Sequence, residues 1–231
     1  WKASDIPALA RLEPGQSGKI SFTVPVVKGF PANANPKNIA IKSVATIDSP
    51  DIKSTLTGNK TIASNLLQVK VGALVALQVS PFFSGDHITN TGPLPPVVGS
   101  ETTYTIRTKV ASSSNDLSQA RITFVLPSGV VYKEKSYPNG ETVEWKARTN
   151  ELVWEVGILS SGKEKEFQFQ VAITPNQSQV GKDVELVKTA TFEAKESFTK
   201  KEVITERAKV TNYLEQDKAV TEQSGFVKAT P

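Results

Sequence analysis

Three properties of the sequence predict an all-β fold built from tandem antiparallel sandwiches, the first of them incomplete within these residues. Apolar and polar residues alternate with period two in short stretches, as along Thr103, Tyr104, Thr105 and Ile106 and again along Glu166, Phe167, Gln168 and Phe169. Such alternation marks a half-buried strand. Gly, Pro, Ser and Asn punctuate the stretches at short intervals, as turns between strands require. The landmark residues of one stretch recur in order in another, the sign of a repeated module. At 231 residues the chain is long enough for two domains of about 100 residues, each with its own core.

Residues 1–18 read as the end of an element that closes on a turn at Pro14, Gly15 and Gly18. From Lys19 the residues Ile20, Phe22, Val24 and Val26 alternate with Ser21, Thr23 and Pro25, which predicts a strand. Pro25 has no N–H to give to a ladder, so the strand belongs at a sheet edge. A loop over 28–37 leads to a second strand over 39–47. A polar connection over 48–63 and a strand over 66–71 follow.

The later part of the chain echoes this order. Trp154, Leu159, Gly162, Phe167, Phe169, Val171 and Ile173 correspond to Trp1, Leu12, Gly15, Ile20, Phe22, Val24 and Val26. Residues 188–192 correspond to 43–47, and Lys209 and Val210 to Lys70 and Val71. Residues 1–71 therefore match only the C-terminal part of the sandwich that residues 72–211 hold complete. Half a sandwich leaves its inner face in water and forgoes about 1.5–3 kcal/mol of burial per bulky side chain. Its free strand edges also invite another chain. The expectation is that the missing strands precede Trp1 in a longer polypeptide or come from a neighbouring copy by strand complementation. The lack of any methionine agrees with a product cut from a longer precursor.

Residues 73–81 read as the first strand of the complete unit. The seam falls near Gly72 with almost no linker, which predicts a stiff junction. The loop over 82–96 is rich in Gly, Pro and Asn, and Pro81, Phe82 and Phe83 read as an apolar wedge at the seam, with an exposed sticky loop as the alternative. Four strand signals follow, in 99–110, 122–130, 151–162 and 163–171. Trp145 and Trp154 flank a hairpin tip at 148–151, and Trp154, between Val153 and Val156, is placed in the core. Residues 212–231 form either a tail or the start of a further repeat.

These landmarks resemble the repeated surface domain known as domain of unknown function eleven, found in bacterial and archaeal envelope proteins. The matching residues are Gly99 before the Tyr104 strand, Leu126, Pro127 and Gly129, Trp154, Gly157 through Gly162, and the 163–173 strand. The resemblance covers one complete unit and the trailing half of another. Two departures stand out. Phe124 and Val125 occupy the place where the family often has an Asp before Leu-Pro, and residues 112–116 replace its usual Asn-x-Gly turn. What the resemblance implies is an immunoglobulin-like sandwich serving in a stalk, coat or adhesive array, with no assigned chemistry.

Composition narrows the function classes. Hydrophobic residues make up 38% and charged residues 22% of the chain, in keeping with a folded rather than a disordered protein. Cysteine is absent, which removes disulfides, thiolate chemistry and the usual zinc clusters and suits an extracellular or envelope location. The net charge of +4 is spread over interspersed Lys and Glu, a solvated strand face rather than a nucleic-acid track. No apolar run approaches the roughly 18 residues of a membrane helix.

No catalytic residues are assigned. The one histidine, His87, sits beside Asp86 in a loop, where sequence neighbours seldom form an oriented nucleophile–base pair. No cofactor is expected: Asp48, Asp51 and Asp86 read as ordinary turn caps, and they are the calcium candidates at the seam only as the alternative, because loop carboxylates suit that ion while no calcium-loop signature is present. Tyr137 and Trp145 are the candidate ligand residues, read either as a sugar platform or as a packed pair. A Lys–Asn cross-link between strands would suit a stalk without cysteine, but no acid to catalyse it is marked.

The sequence thus points to a structural module of a cell-surface or extracellular protein: a surface layer, sheath, filament or stalk of stiff tandem domains in lateral contact with neighbouring copies or other envelope proteins. The alternatives are an adhesin or carbohydrate-binding module and a non-catalytic segment of a large surface hydrolase.

Overall fold

The computed structural model describes residues 1–11, 13–25, 37–49, 61–85, 87–220 and 225–230. The chain divides into two compact units, Trp1–Ala34 and Asn35–Pro231. In the first, Pro7–Leu9 form a single 3₁₀ turn with Pro at its start, a position where the missing N–H costs nothing. Trp1 packs on Phe22 with ring centroids 4.8 Å apart. The strand expected over 19–26 is not formed: residues 19–25 have no ladder partner, and Ile20, Phe22 and Val24 are 39%, 60% and 67% exposed. Alternation makes a strand possible, but only a neighbouring strand makes it stable. Val26 lies outside the described residues.

The second unit opens with a hairpin. Its strands are β1 (Ala40–Ser43), β2 (Thr46–Asp48), β3 (Thr61–Ala63) and β4 (Leu67–Lys70). β1 pairs with β4 and β2 with β3, both antiparallel. The single strand expected over 39–47 is broken at Val44 and Ala45. Between the pairs Ser43–Leu67 and Thr46–Ala63, two residues on one side face three on the other, the surplus residue of a bulge. Ser64 closes the break: its N–H donates to Ala45 O (2.7 Å), and its hydroxyl accepts from Ala45 N (2.9 Å).

Nine strands then build a sandwich: β5 (Val75–Phe82), β6 (Thr102–Ser112), β7 (Leu117–Val125), β8 (Val130–Tyr137), β9 (Thr142–Lys146), β10 (Glu151–Leu159), β11 (Glu164–Ile173), β12 (Glu185–Glu196) and β13 (Glu202–Thr211). One sheet has the order β5-β6-β11-β8 and the other β13-β12-β7-β10-β9. The first follows the A-B-E-D order and β13-β12-β7 the G-F-C order of an immunoglobulin-like sandwich. The β9–β10 hairpin extends the second sheet beside β7. The fold is all-β and immunoglobulin-like, as the alternation and the family resemblance imply.

The inner faces carry the core. Tyr104, Ile106, Phe167, Phe169 and Val171 of the first sheet meet Ile122, Phe124, Leu152, Trp154, Leu186 and Phe192 of the second, all fully buried. Trp154 stacks on Phe167 across the sheets at 4.9 Å, and Phe124 meets Phe169 at 4.8 Å. The indole N–H of Trp154 donates to Glu141 Oε2 at 2.6 Å, so its one polar atom is satisfied. β10 can leave and rejoin its register with β7 around Gly157 because that residue sits at φ +73°, where a side chain would be strained.

The residues after β13 fold back on the sandwich, neither frayed nor beginning a new strand run where described. Asn212, Leu214, Asp217 and Val227 are buried. Val227 and Lys228 form parallel bridges to Val180 and Val97. Asn212 Oδ1 accepts from Val184 N at 2.8 Å, and its Nδ2 donates to Gly225 O at 2.8 Å.

Candidate functional site: a polar joint at the hairpin base

Where the hairpin enters the sandwich, β4 runs into β5 through only Val71, Gly72, Ala73 and Leu74. A connection this short leaves the end of a sheet facing the end of another element, and the backbone groups there need partners. Asn115 and Glu196 supply them. Asn115, fully buried in the β6–β7 turn, accepts from Asn38 N through Oδ1 at 2.8 Å. Its Nδ2 donates to Val71 O at 2.9 Å and to Glu196 Oε1 at 2.5 Å. The other oxygen of Glu196 accepts from Ala73 N at 2.9 Å. One amide and one carboxylate thus tie both hairpin legs to two separate turns of the sandwich.

A second layer surrounds this core. Ser113 Oγ accepts from Leu74 N at 3.1 Å, and Ser113 N donates to Leu74 O at 3.0 Å. Lys37 donates to Asp116 Oδ2 at 2.6 Å, while Asp116 Oδ1 accepts from Ser161 N at 3.0 Å. The Lys37 ammonium and the Ser161 N–H hold the Asp116 carboxyl below the usual carboxylate range. Lys70 donates to Phe198 O at 2.9 Å and lies over the Phe198 ring. The Lys37 pair is solvent-exposed and contributes at most about 1 kcal/mol. Leaving the buried Asn115–Glu196 tie half-made would cost about 1–3 kcal/mol. The buried tie decides the geometry of the joint.

The residues singled out from sequence go elsewhere. Tyr137 and Trp145 are not brought together, because β8 and β9 belong to different sheets. Tyr137 stacks on His87 at 3.6 Å and 11°, whereas Trp145 packs on Tyr132 at 5.4 Å. Asp48 ends β2, exposed and opposite Thr61; Asp51 and Asp86 lie outside the described residues. No group of three or more His, Cys, Asp or Glu is placed to hold a metal among the described residues.

Phe82 and Phe83 are not a wedge at the seam. β5 begins beside Ser112 and ends beside Thr105, so they stand at the far end of that strand from Gly72. There Phe82 lies under the Arg107 guanidinium and Phe83 packs edge-on to Tyr104.

That far end has its own polar ties, made by the buried Asp217 and the half-buried Asn90. Asp217 accepts from the backbone N–H groups of Phe83 and Ser84, each at 2.8 Å, and from the Ser84 hydroxyl. Burial pushes its pKa up, but the hydrogen bonds from Ser84 and Phe83 outweigh this and hold it below the usual carboxylate range. Asn90 Nδ2 donates to Thr105 Oγ1 at 2.9 Å and to Phe83 O at 3.0 Å. The side-chain partners of Asn115, and Phe83 and Ser84 as partners of Asp217, lie between 44 and 134 positions away in sequence, so no local pattern announces them. The only signal was the replacement of the expected turn by residues 112–116.

No protein-family model matches the sequence, and no curated protein does. Among solved structures, the chain is similar to two domains of the major pilin SpaD from Corynebacterium diphtheriae, with 17% identity over 58% of this chain and 51% of that one and a TM-score of 0.36. It is similar to BcpA, the major pilin subunit of Bacillus cereus, with 12% identity over 73% and 47% and a TM-score of 0.36. It is also similar to a GH20 exo-β-N-acetylglucosaminidase from Vibrio harveyi, with 11% identity over 58% and 17% and a TM-score of 0.30. The chain spans about half or less of each of these proteins. Likeness at this level brings no activity or partner with it. No helix among the described residues is long and apolar enough to cross a membrane.

Proposed function

We propose that the chain is a structural module of a cell-surface or extracellular protein, in which the polar joint holds successive β-elements at a fixed angle. The observation that carries this reading is the Asn115–Glu196 tie. Two polar side chains, both buried, bond the backbone on each side of a connection only a few residues long. A buried polar pair of this kind specifies one arrangement, since any other leaves a carboxylate and an amide unpaired in a low-dielectric interior. A flexible linker has no such requirement. The joint therefore resists bending and transmits load from the hairpin into β5, β6 and β12. A repeat array that works by stiffness and lateral contact needs this property from its modules.

The test is Asn115→Ala, read by amide hydrogen exchange at Asn38 and Ala73. Loss of the tie is expected to speed exchange at both amides by about tenfold or more, since each 1.4 kcal/mol is a factor of ten. The core strands should keep their protection. Unchanged exchange at Asn38 and Ala73 would mean that the joint is not held by this pair.

A further inference from the structure

A sandwich has two open sides, where the last strand of one sheet meets the last strand of the other. On one side these are β8 and β9, and Tyr132 packs on Trp145 at 5.4 Å between them. On the other side β5 and β13 run close together, and a groove of about 360 Å³ stays open. Leu77, Val79 and Pro81 give it an apolar wall on the β5 side. Arg207, Lys209 and Thr211 line the β13 side.

The charges there are unusual for their place in the fold. Arg207 lies opposite Ala190, and Thr205 opposite Phe192. Residues opposite one another in a ladder share a face, and Ala190 and Phe192 are fully buried. β13 therefore carries Arg207 on its core-facing side, and Lys209, two positions on, shares that side. Cations on that side are tolerated only while the groove keeps them in water or gives them an anion. Both are exposed, and neither makes an ion pair among the described residues. Nearby Lys109 is paired with Glu164 and Glu166, and Arg107 with Glu166. Glu215 is the one acid among the residues lining the groove, so an anion is favoured there.

The groove also offers backbone. Among the described residues β5 and β13 each pair along one edge only, with β6 and β12. Their other edges hold N–H and C=O groups without a ladder partner. Pro81 interrupts the β5 edge, having no N–H to give, whereas β13 contains no proline from Glu202 to Thr211.

We propose that the groove takes an extended acidic peptide, which adds as a strand to the free edge of β13. Main-chain hydrogen bonds hold such a strand, and its alternate side chains supply the specificity. Two carboxylates two positions apart stand beside Arg207 and Lys209, because ladder neighbours share a face. The apolar β5 wall lowers the local dielectric and strengthens these pairs. A segment of about five residues matches Arg207–Thr211, at roughly 3.3 Å per residue. The groove and the polar joint share no residue, so the inference goes beyond the structural-module reading and does not depend on it.

The probe is the capped peptide Thr-Glu-Thr-Glu-Thr, labelled for fluorescence anisotropy and titrated with the 231-residue protein at low ionic strength. Saturable binding is expected, with slower amide exchange between Arg207 and Thr211. The isomer Thr-Glu-Glu-Thr-Thr keeps the charge but sends its acids to opposite sides, and it should bind about tenfold more weakly. Arg207→Glu combined with Lys209→Glu, both at exposed positions, should abolish binding and leave the melting of the sandwich unchanged. The proposal is overturned if the first peptide does not bind, which would mean that the groove is closed or already filled. It is equally overturned if the two peptides bind alike, if the double variant binds as the unaltered protein does, or if exchange in β13 is unaffected. Exchange at Asn38 and Ala73 reads the joint separately, so failure here leaves the joint standing.

Discussion

The β12–β13 hairpin and the β1–β4 hairpin begin from the same kind of sequence and end in opposite states. Both are antiparallel, both alternate, and Phe192 stands where Ile47 does. Yet Phe192 is 0% and Ile47 55% exposed. β12 has β7 on its other edge and the β6–β11 face above it, whereas β1 and β2 belong to two-stranded sheets. The difference teaches that alternation determines which residues share a face, while burial is conferred by what lies opposite. A hairpin without a third strand or a covering layer is marginal in water. Among the described residues this one is tied to the sandwich by the polar joint at its base.

The matched pair gives the sharpest contrast. Phe192→Ala removes a buried ring between two sheets and should destabilise the sandwich by about 3–5 kcal/mol. Ile47→Ala should change the same transition by no more than about 0.5 kcal/mol. Denaturant unfolding of the two variants measures both, and equal losses would break the comparison.

A smaller effect distinguishes the far end of the sandwich from the joint. Asp217 ties Phe83 and Ser84 to the segment after β13, and its pKa lies below the ordinary carboxylate value. A depressed carboxyl contributes stability that is fully present above its unfolded pKa of about 3.9 and is lost as pH falls through the lower folded value. Acid titration should therefore loosen the Asp217 contacts only below about pH 4. Asp217→Asn should flatten that part of the stability profile. A profile unchanged by the substitution would show that Asp217 does not hold this end.

Much of the sandwich was legible because its signals are local. Trp154 between Val153 and Val156 read as core and is fully buried. The Tyr104 strand, the turn at Pro127 and Gly129, and the 163–173 strand all lie close to where their residues place them. Other features depended on partners that a single stretch does not name. Residues 19–25 have a strand's alternation and no strand beside them. The bulge at Val44 and Ala45 arises from a surplus residue on the returning side of the hairpin. Tyr137 and Trp145 are near in sequence, but the chain crosses between sheets from β8 to β9 and gives each a different aromatic neighbour. The groups that set the geometry, Asn115, Glu196, Asn90 and Asp217, are ordinary polar residues whose importance comes from contacts made across the fold.

The central claim is that one sequence pattern is held in two ways, by apolar burial in the sandwich and by a polar joint at the base of the β1–β4 hairpin. Native-state hydrogen exchange on dilute protein tests it most directly. Amides in β6, β7, β11 and β12 should exchange only through global unfolding, while those in β1 to β4 should exchange far sooner through local opening. Equal protection in the hairpin and the sandwich would contradict the account.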